Sequence, residues 1–382
     1  MIKLKYIKNL AALFAILLLV CEKGSSQQII FKGQLSGWAG YYTGATLPLL
    51  AGGRYLPQVN YETKGAEFEV AANIFGNSSI KPFTESLWEG DIKLYRGWAK
   101  LTSKRAELRV GLQKINFGSA TLLRPLMWFD RVDPRDPLQF TEGVWGALGR
   151  YYFRDNSNIW LWALYGNKDS RPWEIGLTSQ WRPEFGGRVQ IAIPRGEAAI
   201  SFHRREAMLT GFAGIAENRY AFDIKMDLTV GISLEATWIN KRADLGILTN
   251  QEMVCVGTDY TFGLGNGLNI IAEHLIFSSD REPLSFSNTM NLTALSGNYP
   301  FGMFDSINYI LYYDWKNGGV YNFVNWRHTF TKFSLNLMGY INPTESHIPL
   351  TGNSLNRYSG SGFQIMLVYN HQSKKMLNKI LR

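Results

Sequence analysis

Residues 219–226 read Arg-Tyr-Ala-Phe-Asp-Ile-Lys-Met, so that Tyr220, Phe222, Ile224 and Met226 alternate with Arg219, Asp223 and Lys225. A period of two places one set on each face of a β-strand. The same beat runs through 66–74, where Ala66, Phe68, Val70, Ala72 and Ile74 oppose Glu67, Glu69 and Asn73. Outward from these stretches, 18 segments between 29–43 and 362–371 carry the pattern, bounded by Gly, Asn, Asp and Pro clusters. A soluble sandwich would turn the greasy faces inward, whereas a membrane barrel turns them to lipid and lines water with the charged ones.

The connections choose between the two. Short turns at 63–65, 103–104, 155–157, 194–197 and 228–229 alternate with longer stretches at 44–53, 77–89, 118–142, 167–172, 207–217, 241–251, 278–284 and 343–361. A barrel with turns at one mouth and loops at the other produces this order; Greek-key crossovers do not. The order requires 173–193 to be one strand with a bulge near 183–187. The expected fold is therefore all-β, a transmembrane antiparallel β-barrel of 16–18 strands with a loop folded inward. Strand edges close within one chain, so a monomer or a homotrimer is compatible with it.

Lys3, Lys5 and Lys8 precede an apolar run from Leu10 to Cys21, the n-region and h-region of a secretory signal. Small Gly24 and Ser26 favour cleavage before Gln27, and the large Val20 argues against lipidation at Cys21. The expected organisation is a signal peptide at 1–26, an outer-membrane barrel at 27–371 and a basic C-terminal tail at 372–382. Removing four lysines and Glu22 with the signal lowers the formal charge from +9 to +6. No Lys/Arg run points to nucleic acid. Cys255 is the single cysteine left, so no intramolecular disulfide holds the exported chain. Aromatics make up 14% of the residues, many near segment ends, as girdles at two lipid interfaces would require.

Pointing each polar face inward gives a wall of basic Arg96, Lys100, Arg109, Arg150, Arg205, Arg219, Lys225 and Arg327. Against them stand acidic Glu67, Glu69, Glu107, Asp223, Glu235, Glu273 and Asp314. Near balance predicts weak ion selectivity. The other faces are apolar, as in Ala106, Leu108, Val110 and Leu112, or Phe363, Ile365, Leu367 and Tyr369.

The stretch 109–138 contains Gly-Leu-Gln at 111–113, Phe117-Gly118, and Asp133-Pro134-Arg135-Asp136. Its Leu122, Leu123, Leu126, Met127, Trp128, Phe129 and Val132 are too apolar to remain in water, which predicts a loop folded back into the lumen. Over 105–154 the chain resembles the constriction segment of substrate-uptake porins of Gram-negative bacteria. The resemblance implies passive diffusion of a small polar solute through a water-filled barrel, with outer-membrane lipid and the barrel-assembly machinery as partners. The tail departs from that family's pattern, since Lys374, Lys375, Lys379 and Arg382 follow the last alternating segment. The constriction residues expected on the loop are Arg124, Asp130, Arg131, Asp133, Arg135, Asp136 and Glu142. Its acids either face Arg96, Arg109 and Arg150 across a narrow gap, setting up a transverse field, or pair among the loop's own charges.

Chemistry of other kinds finds little footing. His203, His274, His328, His347 and His371 fall apart in sequence with no metal-ligand spacing, and no Gly-rich phosphate loop precedes a helix. Neither an enzyme nor a cofactor is expected. Two alternatives to a channel remain: a non-conducting barrel for surface polysaccharide attachment or assembly, using Trp88, Trp128, Trp173 and Trp315 against sugar rings, and an outer-membrane hydrolase.

Overall fold

Period-two segments leave the backbone of each strand unsatisfied, and in lipid only a neighbour strand can satisfy it, so the ladder must close. In a computed structural model of the protein it does. The described residues are 28–43, 47–81, 85–209, 211–344 and 358–376; the expected signal segment, with Cys21, lies outside them.

The chain forms β1 (Gln28–Tyr42), β2 (Leu49–Glu62), β3 (Ala66–Lys81), β4 (Glu85–Thr102), β5 (Ala106–Gln113), β6 (Val144–Tyr152) and β7 (Asn158–Leu164). There follow β8 (Leu177–Thr178), β9 (Glu184–Ile193), β10 (Gly196–Leu209), β11 (Phe212–Asp227), β12 (Gly231–Lys241) and β13 (Asn250–Phe262). The last are β14 (Leu268–Asp280), β15 (Thr289–Pro300), β16 (Asp305–Asp314), β17 (Gly319–Thr329), β18 (Phe333–Ile341) and β19 (Ser361–Met376). Every pairing is antiparallel between neighbours, and β1 pairs with both β2 and β19, which closes the sheet. Short β8 and β9 both pair with β10, so they are two pieces of one stave interrupted at 179–183, and the barrel has 18 staves. The expected single strand over 173–193 thus takes this broken form.

Several expected boundaries move; β2, for one, starts at Leu49, within the expected connection at 44–53. The stretch 77–89, expected as a long loop, is instead the paired end of the β3–β4 hairpin, with Lys81 opposite Glu85. The stretch 207–217 likewise belongs largely to β10 and β11, with Leu209 opposite Phe212. At 77–89 polar residues hide the strand ends, because a hairpin standing clear of the membrane needs no greasy face; at 207–217 Gly211 and Gly214 interrupt an otherwise mostly apolar run. At the other end β19 continues past the expected boundary at His371, with Gln28 opposite Met376. Residues 377–382 of the basic tail lie outside the described residues.

The faces sort as the alternation requires. Leu35, Leu161, Ile200, Val256, Phe363 and Leu367 are exposed outward, while Arg219, Asp223, Glu235 and Glu273 are buried inside. Charge at mid-depth on the outer face would cost about 2–4 kcal/mol. Near the short-turn mouth, aromatic pairs such as Tyr151–Phe153 (5.0 Å), Tyr260–Phe262 (4.8 Å) and Tyr299–Phe301 (5.5 Å) form a girdle. A bulge sets the inward direction of one expected wall residue. Ala71 pairs with Arg96 but Ala72 with Leu94, so Tyr95 is skipped. Even-numbered Ile92 and Leu94 then face out while even-numbered Arg96 turns in.

Candidate functional site

The segment 114–143 joins β5 to β6 and folds into the barrel, as its apolar residues demand. Leu122, Leu123, Leu126, Met127, Trp128 and Phe129 are all buried. Phe117, Trp128 and Phe129 pack on Trp162 and His203 of the wall, with Phe117 stacked on Trp162 at 5.8 Å. Leu122, Leu123 and Met127 join Ile239, Met253, Leu275 and Leu292.

Apolar packing alone does not fix such a loop, because its backbone needs hydrogen-bond partners inside the lumen. Two wall carboxylates provide them. Glu235 Oε1 accepts from the Ser119 and Ala120 N–H groups at 2.5 and 2.7 Å, and its Oε2 from Leu126 at 3.3 Å. Glu273 Oε1 accepts from Thr121 at 2.6 Å and Oε2 from Leu123 at 2.7 Å. Successive N–H groups converging on fixed carboxylates form an anion nest whose anion is the protein's own. Gly118, with φ of +100°, leads into it. A Cβ there would lie 2.5 Å from Glu235 Oε1, so the Phe-Gly of the motif is required by close approach.

The loop's own charges turn on one another. Arg124 pairs with Asp130 at 2.8 Å and Arg135 with Asp133 at 2.9 Å. Asp136 accepts from the Leu138 and Phe140 N–H groups at 3.0 and 3.1 Å. Burial pushes the Asp136 carboxyl above its usual range, and those two bonds only partly offset it. Burial likewise lowers the Lys114 ammonium, against the pull of Asp130. Arg131 donates from its backbone N–H to Thr141 Oγ1 at 2.8 Å and from its guanidinium to the Ser170 carbonyl. Of the two arrangements open to these acids, three adopt pairing or capping within the loop. Glu142 precedes β6, and its neighbour Thr141 gives its carbonyl to Arg96 at 2.8 Å.

The wall residues group into separate sets. Lys100 meets Glu67 at 2.8 Å, Arg150 meets Glu107 at 2.9 Å, and Arg109 lies over the Trp98 ring at 4.7 Å. Asp223 is held by Arg188 at 2.5 and 2.8 Å. Arg205 and Arg219 clamp Glu217 and also Glu174, which belongs to the β7–β8 connection. Burial alone would raise the Glu174 carboxyl, but the two guanidinium groups outweigh it and hold it below the usual range. Next to it, Trp173 donates to the Arg124 carbonyl at 3.2 Å. Both residues have left-handed backbones, with φ of 48° and 36°, so the two loops lock through strained positions. Lys225 faces inward across from Glu197, and Arg327 is exposed inside the barrel.

Arg188 and Glu217 were readable from strand parity, since they share faces with Gln190 and Arg219. Glu174 was not, because a loop carries no period. Of the four tryptophans considered for sugar stacking, Trp128 and Trp173 are buried while Trp88 and Trp315 are exposed.

Between the loop and the wall of β14 to β17 lies a cavity of about 620 Å³. The loop contributes Lys114, Arg124, Arg135 and Asp136; the wall contributes Asn269, Ser296, Asn298, Ser306, Asn308, Asn325 and Arg327. Such a size suits a small solute.

No protein-family model and no curated protein matches the sequence. Solved structures do match in fold. Acinetobacter baumannii OccAB4 superposes with a TM-score of 0.58 at 11% identity, covering 92% of this chain and 99% of that one. Pseudomonas aeruginosa OccK5 (OpdH) gives 0.54 at 10% identity, covering 92% and 98%. Pseudomonas aeruginosa OpdQ gives 0.55 at 10% identity, covering 91% and 99%. These neighbours are outer-membrane porins. At such identities the likeness speaks for architecture: the chain has the closed 18-strand barrel fold that these Occ and Opd porins share.

Proposed function

We propose that this protein is an outer-membrane porin through which small polar solutes diffuse passively past the loop at 114–143. The reading is carried by one observation, the loop tied to Glu235 and Glu273 across the lumen with a polar-lined cavity of about 620 Å³ left beside it. A soluble protein would have no reason to expose its outer belt of Leu, Ile, Val and Phe, and a barrel fixed in lipid does. Export by the signal segment, insertion by the barrel-assembly machinery and contact with outer-membrane lipid follow from this reading. Opposite charges pair along the wall, which supports weak ion selectivity. The protein acts as a channel and not as an enzyme.

The test is single-channel conductance of refolded residues 27–382 in a planar bilayer under a salt gradient. Steady openings with a small reversal potential are expected. A folded, inserted barrel that stays silent would overturn the reading and favour surface attachment of polysaccharide.

A further inference from the structure

The cavity wall carries an ordering that no single segment displays. Asn269 pairs across the sheet with Asn298, Asn298 with Asn308, and Asn308 with Asn325, so four carboxamides stand in one row on the inner face of β14 to β17. At the usual strand spacing the row is about 14 Å long. One step along each strand toward the long-loop mouth lies a second row: Ile271 beside Ser296, Ser296 beside Ile310, and Ile310 beside Phe323. All of these residues line the same cavity.

An amide offers two donors and an acceptor without charge. Among the described residues, the Asn298 side chain is exposed and makes no hydrogen bond, and Asn325 Oδ1 is buried without a partner. Asn269, Asn308 and Asn325 donate to Thr261, Ser296 and Asn336 at 3.1, 3.2 and 3.4 Å, so the capacity open to the lumen is the whole Asn298 amide and the remaining groups of the half-buried Asn269 and Asn308. Beside the amide row, Ile271 is half-buried at the cavity edge, while Ser296, Ile310 and Phe323 are buried behind the surface. Arg124 and Arg135 on the facing loop are neutralised by Asp130 and Asp133.

A ligand matching this surface has several hydroxyls and no need of a counter-charge. We infer that the asparagine row forms a binding track for a neutral saccharide, resting on the reading of the protein as a channel. An anion held by Lys114 and Arg327, the two cavity cations without an ion pair among the described residues, would leave the row idle.

The experiment uses the refolded barrel in two assays. Liposome swelling with glycine tests passage of any small solute, and current noise in a bilayer is titrated with D-glucose and, separately, with glutamate. Expected results are glycine passage, concentration-dependent glucose interruptions of the current, and weaker effects of glutamate. Asn298→Ala and Asn308→Ala should each lower glucose affinity by roughly threefold to tenfold. Interruptions by glutamate but not by glucose, or glucose interruptions indifferent to both variants, would overturn the inference while leaving the channel standing. Glycine exclusion by an inserted barrel would overturn the channel reading and this inference with it. The wild-type titration decides even if a variant fails to fold.

Discussion

Glu273 on the barrel wall holds Leu122 in the inward loop through both carboxylate oxygens, receiving the Leu122 N–H at 3.2 and 3.0 Å. A wall charge that sequence parity assigns to the pore lining is thus occupied in fastening the element that narrows the pore. Hydrogen bonds to a buried charged group contribute about 1.5–3 kcal/mol each.

Glu273→Gln should release the loop before it harms the barrel. The amide keeps one acceptor oxygen and turns an N–H₂ toward N–H donors, leaving buried groups unpaired. Expected outcomes are larger, noisier conductance and protease cleavage within 114–143, with the unheated gel mobility of the folded barrel preserved. Wild-type conductance and protection in this variant would show that apolar packing alone fixes the loop.

Asp133 and Asp136 should behave differently although they are three residues apart. Asp133→Asn frees the Arg135 guanidinium inside the cavity and should shift the reversal potential toward anions. Asp136→Asn removes one of two acceptors that cap Leu138 and Phe140, so it should loosen the loop with a smaller change in selectivity. Identical reversal potentials in wild type and Asp133→Asn would place that pair outside the ion path.

Register makes a sharp contrast between Leu367, exposed to lipid, and Asn298, facing the lumen. Leu367→Arg should cost about 2–4 kcal/mol of insertion free energy, whereas Asn298→Arg should insert nearly as well as wild type. Urea titration of folding into lipid vesicles reads the difference, and equal midpoints would mean that the two faces are exchanged.

The Glu174 clamp predicts a pH dependence. Because its folded carboxyl is depressed by Arg205 and Arg219, its contribution is fully present above the unfolded value, near pH 4.3, and is lost as pH falls through the folded value. Thermal unfolding should therefore steepen below about pH 4 in the wild type. Glu174→Gln breaks a buried network, at a cost of about 3–5 kcal/mol, and should show a flatter acid limb because glutamine does not titrate. Parallel acid limbs would assign the loss to other groups.

Sequence alone determined the alternation, and with it the two faces of the barrel. Residues such as Phe222 and Asp223 disclose their sides because a strand has a fixed period of two and lipid tolerates no charge. It also determined that 118–142 would fold inward, since seven bulky apolar residues between Thr121 and Asp133 find no stable place in water. Strand ends at 77–89 were illegible, because beyond the membrane the paired backbone imposes no hydrophobic pattern, and those at 207–217 because glycines break a mostly apolar run. Tertiary structure decided which residues meet. Asn269, Asn298, Asn308 and Asn325 become one row only through the register of four strands, and Glu235 and Glu273 become loop tethers only because a distant turn presents its N–H groups to them. Strand periodicity is a local property of the backbone, whereas register is set by hydrogen bonds between neighbouring strands and loop docking by hydrogen bonds between segments more than a hundred residues apart.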